Sequence, residues 1–245
     1  MAQARTPAAR RGRPLRKPLA SVDRREHILD HAEALFAAHG FHGVTVREVA
    51  RVAAVDPALV HYYFETKPGL FDAVFTRRAE VVNAERMRSM DAYARAAGDR
   101  ITLEGCIEAF LEPIVRRSLM GDPRWKNYFR LVALVNSGGS WGGEMMARQF
   151  DPVVQRLVEL VGRCLPGAKD VDLYWAYHFL SGALTLSLSE TGRIDRLSGG
   201  LCASGDVEAL YGRMVPFIAA GFRRLCEPEG PRAARGSPRP RKTHD

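Results

Sequence analysis

Apolar residues recur at helical spacing along almost the whole chain. Ile28, Ala32, Leu35 and Phe36 share one face of a 3.6-residue period and Gly40 supplies a stop, which predicts a first helix ending near residue 40. Thr45 and Glu48 form a capping box, with Val44 and Val49 at the positions of a hydrophobic staple, so a second helix starts at Thr45 and runs to about Ala53. A third start follows at once: Asp56 caps, Pro57 occupies the first turn, and Val55 and Val60 can staple a short helix over Pro57 to Tyr63. Thr66 caps a fourth, whose apolar side is Leu70, Phe71, Val74 and Phe75. Further helices are expected near 102–120, 123–136, 143–165, 170–190 and 206–225, with Gly-rich loops at 137–143 and 191–205. No stretch alternates convincingly and no repeat is present, so the class is all-α, a small N-terminal unit followed by a larger helical one.

The 245 residues suffice for a real core, and 46% hydrophobic with 26% charged residues is the ordinary globular balance. Charge is more informative. The net +8 sits at the ends: residues 1–20 carry six basic residues and no acid, residues 227–245 carry five basic and three acidic residues, and the body between is neutral. The division expected is a disordered basic arm (1–20), a first domain (21–68), a second (69–226) and a disordered basic tail (227–245). Cys106, Cys164, Cys202 and Cys226 lack C-x-x-C spacing, so neither a disulfide framework nor a zinc site is indicated, and a reducing cytoplasm fits. No run reaches the roughly 18 apolar residues of a membrane span. The basic N-terminus has no apolar stretch after it and does not read as a secretory signal. No metal, no cofactor and no membrane partner is expected.

Two short helices joined through Ala53, Ala54 and Val55 have the arrangement of a helix-turn-helix, whose second helix enters the DNA major groove. Residues Arg25 to Leu29, Leu35 to Ala37, Gly40, Val44 to Ala50, Val55 and Val60 to Phe64, then Lys67 and Leu70, together resemble the DNA-binding domain of TetR-family repressors over roughly 24–75. One departure is Ala54, where the family usually has Gly in the turn. The resemblance implies an all-α, three-helix DNA-binding domain followed by a larger ligand-binding and dimerisation domain. It also implies site residues: Thr45 and its helix start on phosphate, Arg47 on phosphate or a base edge, Ala58, Leu59 and His61 facing bases, Tyr62 and Tyr63 donating to backbone oxygens, and Lys67 on phosphate. Beside these stand plainer readings, Tyr62 and Tyr63 as core aromatics and His61 as a solvated histidine.

Residues 21–80 hold seven basic and nine acidic side chains, whereas phosphate affinity usually comes from a basic face. The arm can supply the missing charge. Its Arg11-Gly12-Arg13-Pro14 has the core of an AT-hook, with Arg11 and Arg13 placed for an A·T-rich minor groove, or it is a basic leader attracted to phosphate without selectivity.

In the resembling family the larger domain both pairs two readers and senses a small molecule. The partners implied are a double-stranded DNA operator, palindromic for a homodimer, and a small-molecule effector. Ser181, Gly182 and Ala183, with the stripe Leu210, Met214, Phe217, Ile218 and Gly221, form either the pairing surface or ordinary intrachain packing. The stretches 192–200 and 213–221 are similar to a subgroup that includes regulators responding to fatty acids or their acyl thioesters. A mainly apolar pocket would draw on the available aromatics and methionines, Tyr128, Trp141, Met146 and Phe179 among them. The ligand-binding candidates are Phe110, Trp125, Phe129, Met145, Phe150, Trp175 and His178, the histidine placed to orient a carboxylate or carbonyl.

Two other functions bear weighing. Gly138 to Gly142 fits the G-x-S-x-G elbow of a serine hydrolase, but Leu131 to Val135 reads as helix, and no catalytic residue is assigned. A non-sensing architectural DNA protein would use the arm and tail alone, and the long helical domain argues against it.

Overall fold

The computed structural model describes residues 21–227. The arm with Arg11 and Arg13, and the basic tail, lie outside the described residues. Within them are ten α-helices and no strand. These are α1 (Ser21–His39), α2 (Val46–Val52), α3 (Pro57–Phe64), α4 (Lys67–Ala97), α5 (Leu103–Leu119), α6 (Pro123–Asn136), α7 (Gly139–Cys164), α8 (Asp170–Leu188), α9 (Arg193–Leu197) and α10 (Val207–Cys226).

The capping chemistry positions the helix starts. Thr45, Asp56, Thr66, Thr102, Asp122 and Asp206 each accept a backbone N–H from the first turn of the helix they precede. The end of α2 closes with the Val55 N–H donating to the Ala50 carbonyl at 3.0 Å and the Ala54 N–H to Arg51 at 3.2 Å. That is a Schellman motif, which needs a left-handed residue between cap and next helix. Ala54 occupies it at φ +53°.

Two expected loops are different in the structure. The Gly-rich 137–143 segment is only a two-residue turn, Ser137 and Gly138, and α7 begins at Gly139. Glycine is required there for close approach: a side chain on Gly142 would run into the Val135 carbonyl oxygen of α6. The 191–205 segment contains α9, which five residues were too few to announce.

One continuous core runs from Ile28 to Cys226. α2 packs on α1, α3 packs on α2 and the start of α4, and α4 runs unbroken across the boundary expected at 68/69. Its 31 residues, roughly 46 Å at 1.5 Å per residue, bury Leu70 and Phe71 against Phe36 at one end and Met90 and Ala94 against α5 at the other. In the body α5 and α7 flank α4, α6 packs on α1, α7 and α8, and α10 closes the far side against α5 and α8.

Glu33 of α1 is buried and takes Arg77 Nη2 at 2.8 Å and Arg78 Nε at 3.0 Å from α4. Asp30 and Glu26 add further ion pairs to the same arginines. Burial alone would lower the Arg77 pKa, but Glu33 and Asp30 outweigh it and hold the guanidinium above its ordinary value.

Two outcomes test this local analysis. Ala54→Gly relieves a left-handed alanine and is expected to stabilise by about 1 kcal/mol, raising the melting temperature by about 2–4 °C; a lower melting temperature would show that the turn does not need positive φ. Glu33→Gln removes the buried charge that holds two half-buried guanidinium groups and should cost about 3 kcal/mol in urea unfolding, whereas a loss below ~1 kcal/mol would mean Asp30 and Glu26 carry the pair.

Candidate DNA-reading surface and effector cavity

Val60 and Phe64 fix the roll of α3 by burying in the α1–α2 core, which turns Ala58, His61 and Tyr62 outward. Tyr62 is 78% exposed. His61 Nδ1 donates to the Glu65 carbonyl at 3.1 Å, and the exposed ring leaves Nε2 for a partner outside the chain. Leu59 corrects its sequence reading: it sits half-buried against the core beside Val60, because the face that buries Val60 and Phe64 also draws in Leu59 and Tyr63. Thr45 and Arg47 are exposed at the start of α2. Lys67, in the first turn of α4, holds its ammonium 4.5 Å from the Phe41 ring centroid, a cation–π contact that keeps the head at the edge of this surface. His27 of α1 donates through Nε2 to the Ala53 carbonyl at 2.9 Å and so pins the turn between α2 and α3.

The acidic balance of residues 21–80 has a structural account. Glu26, Asp30 and Glu33 face Arg77 and Arg78 in the joint between α1 and α4, and Asp72 pairs with Arg148 of α7. Those four carboxylates are held in ion pairs within the chain, while Asp56 and Glu65 stand exposed at the two ends of α3.

The same joint reaches α6. Trp125 lies between two guanidinium groups, with Arg78 5.5 Å and Arg117 4.6 Å from its ring centroids. Arg117 is itself held by Glu85, whose carboxyl its hydrogen bond keeps below the usual range. Trp125 therefore belongs to this joint and not to a ligand pocket, one helical turn before the α6 residues that line one.

That pocket is a small, partly open cavity of about 50 Å³ lined by α4, α5, α6, α7 and α8. Phe110, Phe129 and Phe150 line it as the sequence anticipated, together with Tyr128, Val132, Met146, Tyr177, Ser181 and Thr185. Met145 does not, since consecutive helical residues point about 100° apart and Met146 takes the cavity side. Trp175 and His178 are also corrected: they lie exposed on the outward face of α8, while Tyr177, Leu180 and Leu184 face inward. A larger cleft of about 270 Å³ adjoins the cavity, sharing Phe129 and Leu188 with it, and is edged by the Lys126–Glu190 ion pair.

Sequence reasoning missed Arg86. It interrupts the buried stripe of α4 between Val82 and Met90, is 4% exposed and lines the cavity. The signal was present: an arginine at i+4 from one apolar position and i−4 from the next.

The outward face of α8 and α10 is apolar. Val171, Tyr174, Trp175, Phe179 and Leu186 form a helical stripe, Phe217 of α10 is 72% exposed, and Gly182, Gly212 and Gly221 have open space above them. Of the stripe expected on α10, Phe217 and Gly221 face out, whereas Met214 and Ile218 are buried within the chain. Ser140 stands in the first turn of α7, preceded by the helix α6 and not by the strand that a hydrolase elbow requires.

Comparison with known proteins agrees with this arrangement. Residues 28–74 match the family described as bacterial regulatory proteins of the tetR family, and residues 108–221 match the tetracyclin repressor-like C-terminal domain. A helix-turn-helix-type transcriptional regulator of Bacillus subtilis, YttP, is 41% identical over 51 residues, a match that spans 21% of this chain and a quarter of the relative. Among solved structures, a transcriptional regulator from Pseudomonas aeruginosa PAO1 superposes with TM-score 0.58 at 20% identity, covering 84% of this chain and 96% of that one. SmeT, the repressor of the Stenotrophomonas maltophilia multidrug efflux pump SmeDEF, gives TM-score 0.56 at 17% identity over 80% of this chain and 88% of its own, and SmeT has also been solved as a triclosan complex. With the helix-turn-helix, the all-helical body and matches to both parts, the chain belongs to the TetR family of DNA-binding transcriptional regulators.

Proposed function

We propose that the chain is a homodimeric repressor that binds a palindromic operator and releases it when a small, partly apolar effector enters the cavity behind α6. The observation that carries the reading is the outward α8–α10 face. An eight-residue reader such as α3 is roughly 12 Å long and touches few base pairs, so a second copy is needed to read an operator. The exposed aromatic stripe and open glycines supply a self-complementary surface for it.

In this reading residues 21–68 read DNA and residues 69–226 sense and pair. Ala58, His61 and Tyr62 face base edges and backbone in the major groove, with Thr45, Arg47, Tyr63 and Lys67 at the flanking phosphates. The basic arm, including Arg11 and Arg13, adds electrostatic attraction along the duplex. Release follows from the joint. α6 lines the cavity with Tyr128, Phe129 and Val132 and, one turn earlier, holds Trp125 against Arg78, which grips Glu33 of α1. A ligand that displaces α6 thereby shifts α1 and the start of α4, changing the spacing of the two readers, provided that it binds the shifted state more tightly. A cavity of about 50 Å³ does not hold an acyl-CoA, and a fatty acyl chain fits only by parting Phe129 and Leu188 into the neighbouring cleft. The triclosan complex of SmeT supports an effector of small apolar type.

Selection of bound sequences from random duplex DNA by the full chain tests the whole reading: the expected site is two-fold symmetric with half-sites about 34 Å apart, and enrichment of no symmetric site would sink it. Phe179→Asp is expected to convert a dimer to a monomer in sedimentation and to weaken operator binding by about a hundredfold, an outcome absent if α8 does not pair. Lys67→Ala should lower operator affinity uniformly across sequences and reduce the slope of log affinity against log salt by about 1; an unchanged slope places the lysine off the phosphates.

A further inference from the structure

The cavity behind α6 is mainly apolar, and its lining includes a charge without a counter-ion and a phenol without a hydrogen-bond partner. The Arg86 guanidinium lies 3.6 Å from the Phe110 ring centroid, and its Nε donates to the Phe110 carbonyl at 3.2 Å and Nη1 to Asn83 Oδ1 at 3.3 Å. No carboxylate is ion-paired with it among the described residues. Burial pushes its pKa down to about 10, with Tyr177 and Tyr128 acting the other way, so it is a cation at neutral pH. Tyr128 is buried, its hydroxyl has no hydrogen-bond partner, and burial holds that hydroxyl protonated. A cation without a counter-charge and a phenol without an acceptor therefore line the same cavity.

A buried charge is normally paired, and a buried donor normally bonded, because each forfeits its hydration without return. Carbonyl oxygens and an aromatic face orient the guanidinium but do not neutralise it. The complement is a group that only accepts and carries one negative charge. A carboxylate has two oxygens, takes N–H donors from a guanidinium in parallel, and can receive a phenol as well. An organic acid suits the space better than an inorganic anion, because beside the hydroxyls of Tyr177, Ser181 and Thr185 the lining is mostly aromatic and aliphatic and matches an apolar body.

We infer that the effector is a small organic acid, its carboxylate held between Arg86 and Tyr128 and its apolar body lying against Phe129, Phe150 and Met146. This deepens the sensor reading above and rests on it. The cavity of about 50 Å³ accommodates the head group, and the body passes Phe129 and Leu188, which stand between the cavity and the adjoining cleft of about 270 Å³. Entry of the body moves α6, the helix that carries Trp125 to the α1–α4 joint.

The test uses the full chain with phenylacetate, hexanoate and decanoate, each against its neutral primary amide, followed by calorimetric titration and thermal melting. At least one acid is expected to bind ten- to a hundredfold more tightly than its amide, the worth of roughly one or two charged hydrogen bonds. In Arg86→Met that preference should vanish while the free protein melts at a higher temperature, since an unpaired buried charge has been removed; Arg86→Lys should keep part of the preference, and Tyr128→Phe should reduce it. Equal binding of acids and amides, binding of none of the acids at millimolar concentration, or an Arg86→Met variant that keeps the preference would overturn the carboxylate site. A purely structural Arg86 would show itself as a destabilised Arg86→Met variant of the same acid-to-amide ratio. Operator release, measured in parallel, separates this inference from the reading beneath it. Release by amides and acids alike keeps the sensor and removes the carboxylate, whereas acid binding that leaves operator affinity unchanged keeps the carboxylate site and removes its control of DNA.

Discussion

The ion pairing of Glu33 with Arg77 and Arg78 is the constraint on which the rest of the molecule depends. A carboxylate in the core of the reading head is tolerable only while both guanidinium groups of α4 stay in place, so α1 and α4 cannot slide past one another without exposing a buried charge. Arg78 carries that constraint onward by facing Trp125 of α6, and Arg117, gripped by Glu85, also lies against the indole. Three helices from two parts of the chain are thus locked by charges and one aromatic ring. Such a joint has discrete arrangements, which a body of purely apolar contacts would resist less sharply.

Two kinds of unfavourable feature survive in this otherwise consistent fold. The left-handed Ala54 fixes the angle between α2 and α3, and the Schellman hydrogen bonds around it offset part of its backbone cost. Arg86 is the other, a cation placed in the apolar stripe of the helix that joins the helix-turn-helix to the helical body. One feature sets the geometry with which DNA is met, and the other sets the chemistry of the space behind α6.

Much of the fold was legible because its signals are local. Thr45 with Glu48, Asp56 with Pro57, Thr66, and Asp122 with Pro123 announce helix starts through the hydrogen bonds their own side chains make, and these starts stand where the residues place them. The glycines at 137–143 misled because they mark a close crossing of α6 and α7 and not a loop, a distinction that depends on Val135 of the neighbouring helix. In the candidate site Phe110, Phe129 and Phe150 were foreseeable as aromatics on inward faces, but Trp125, Met145, Trp175 and His178 were not separable from them by residue type. What decides between cavity, joint and outward face is the roll of each helix about its axis.

The sequence by itself determined that the chain is helical, where every helix of the described residues except the short α9 begins or ends to within a few residues, and that the second and third form a helix-turn-helix; caps, staples and 3.6-residue periods are properties of neighbouring residues. Only the tertiary structure decided which apolar faces are satisfied within the chain and which, like Phe179 and Phe217, remain exposed, and only it showed that Arg86 lines a cavity without a counter-charge. Burial and charge pairing depend on residues tens of positions apart, brought together by packing that no local pattern records.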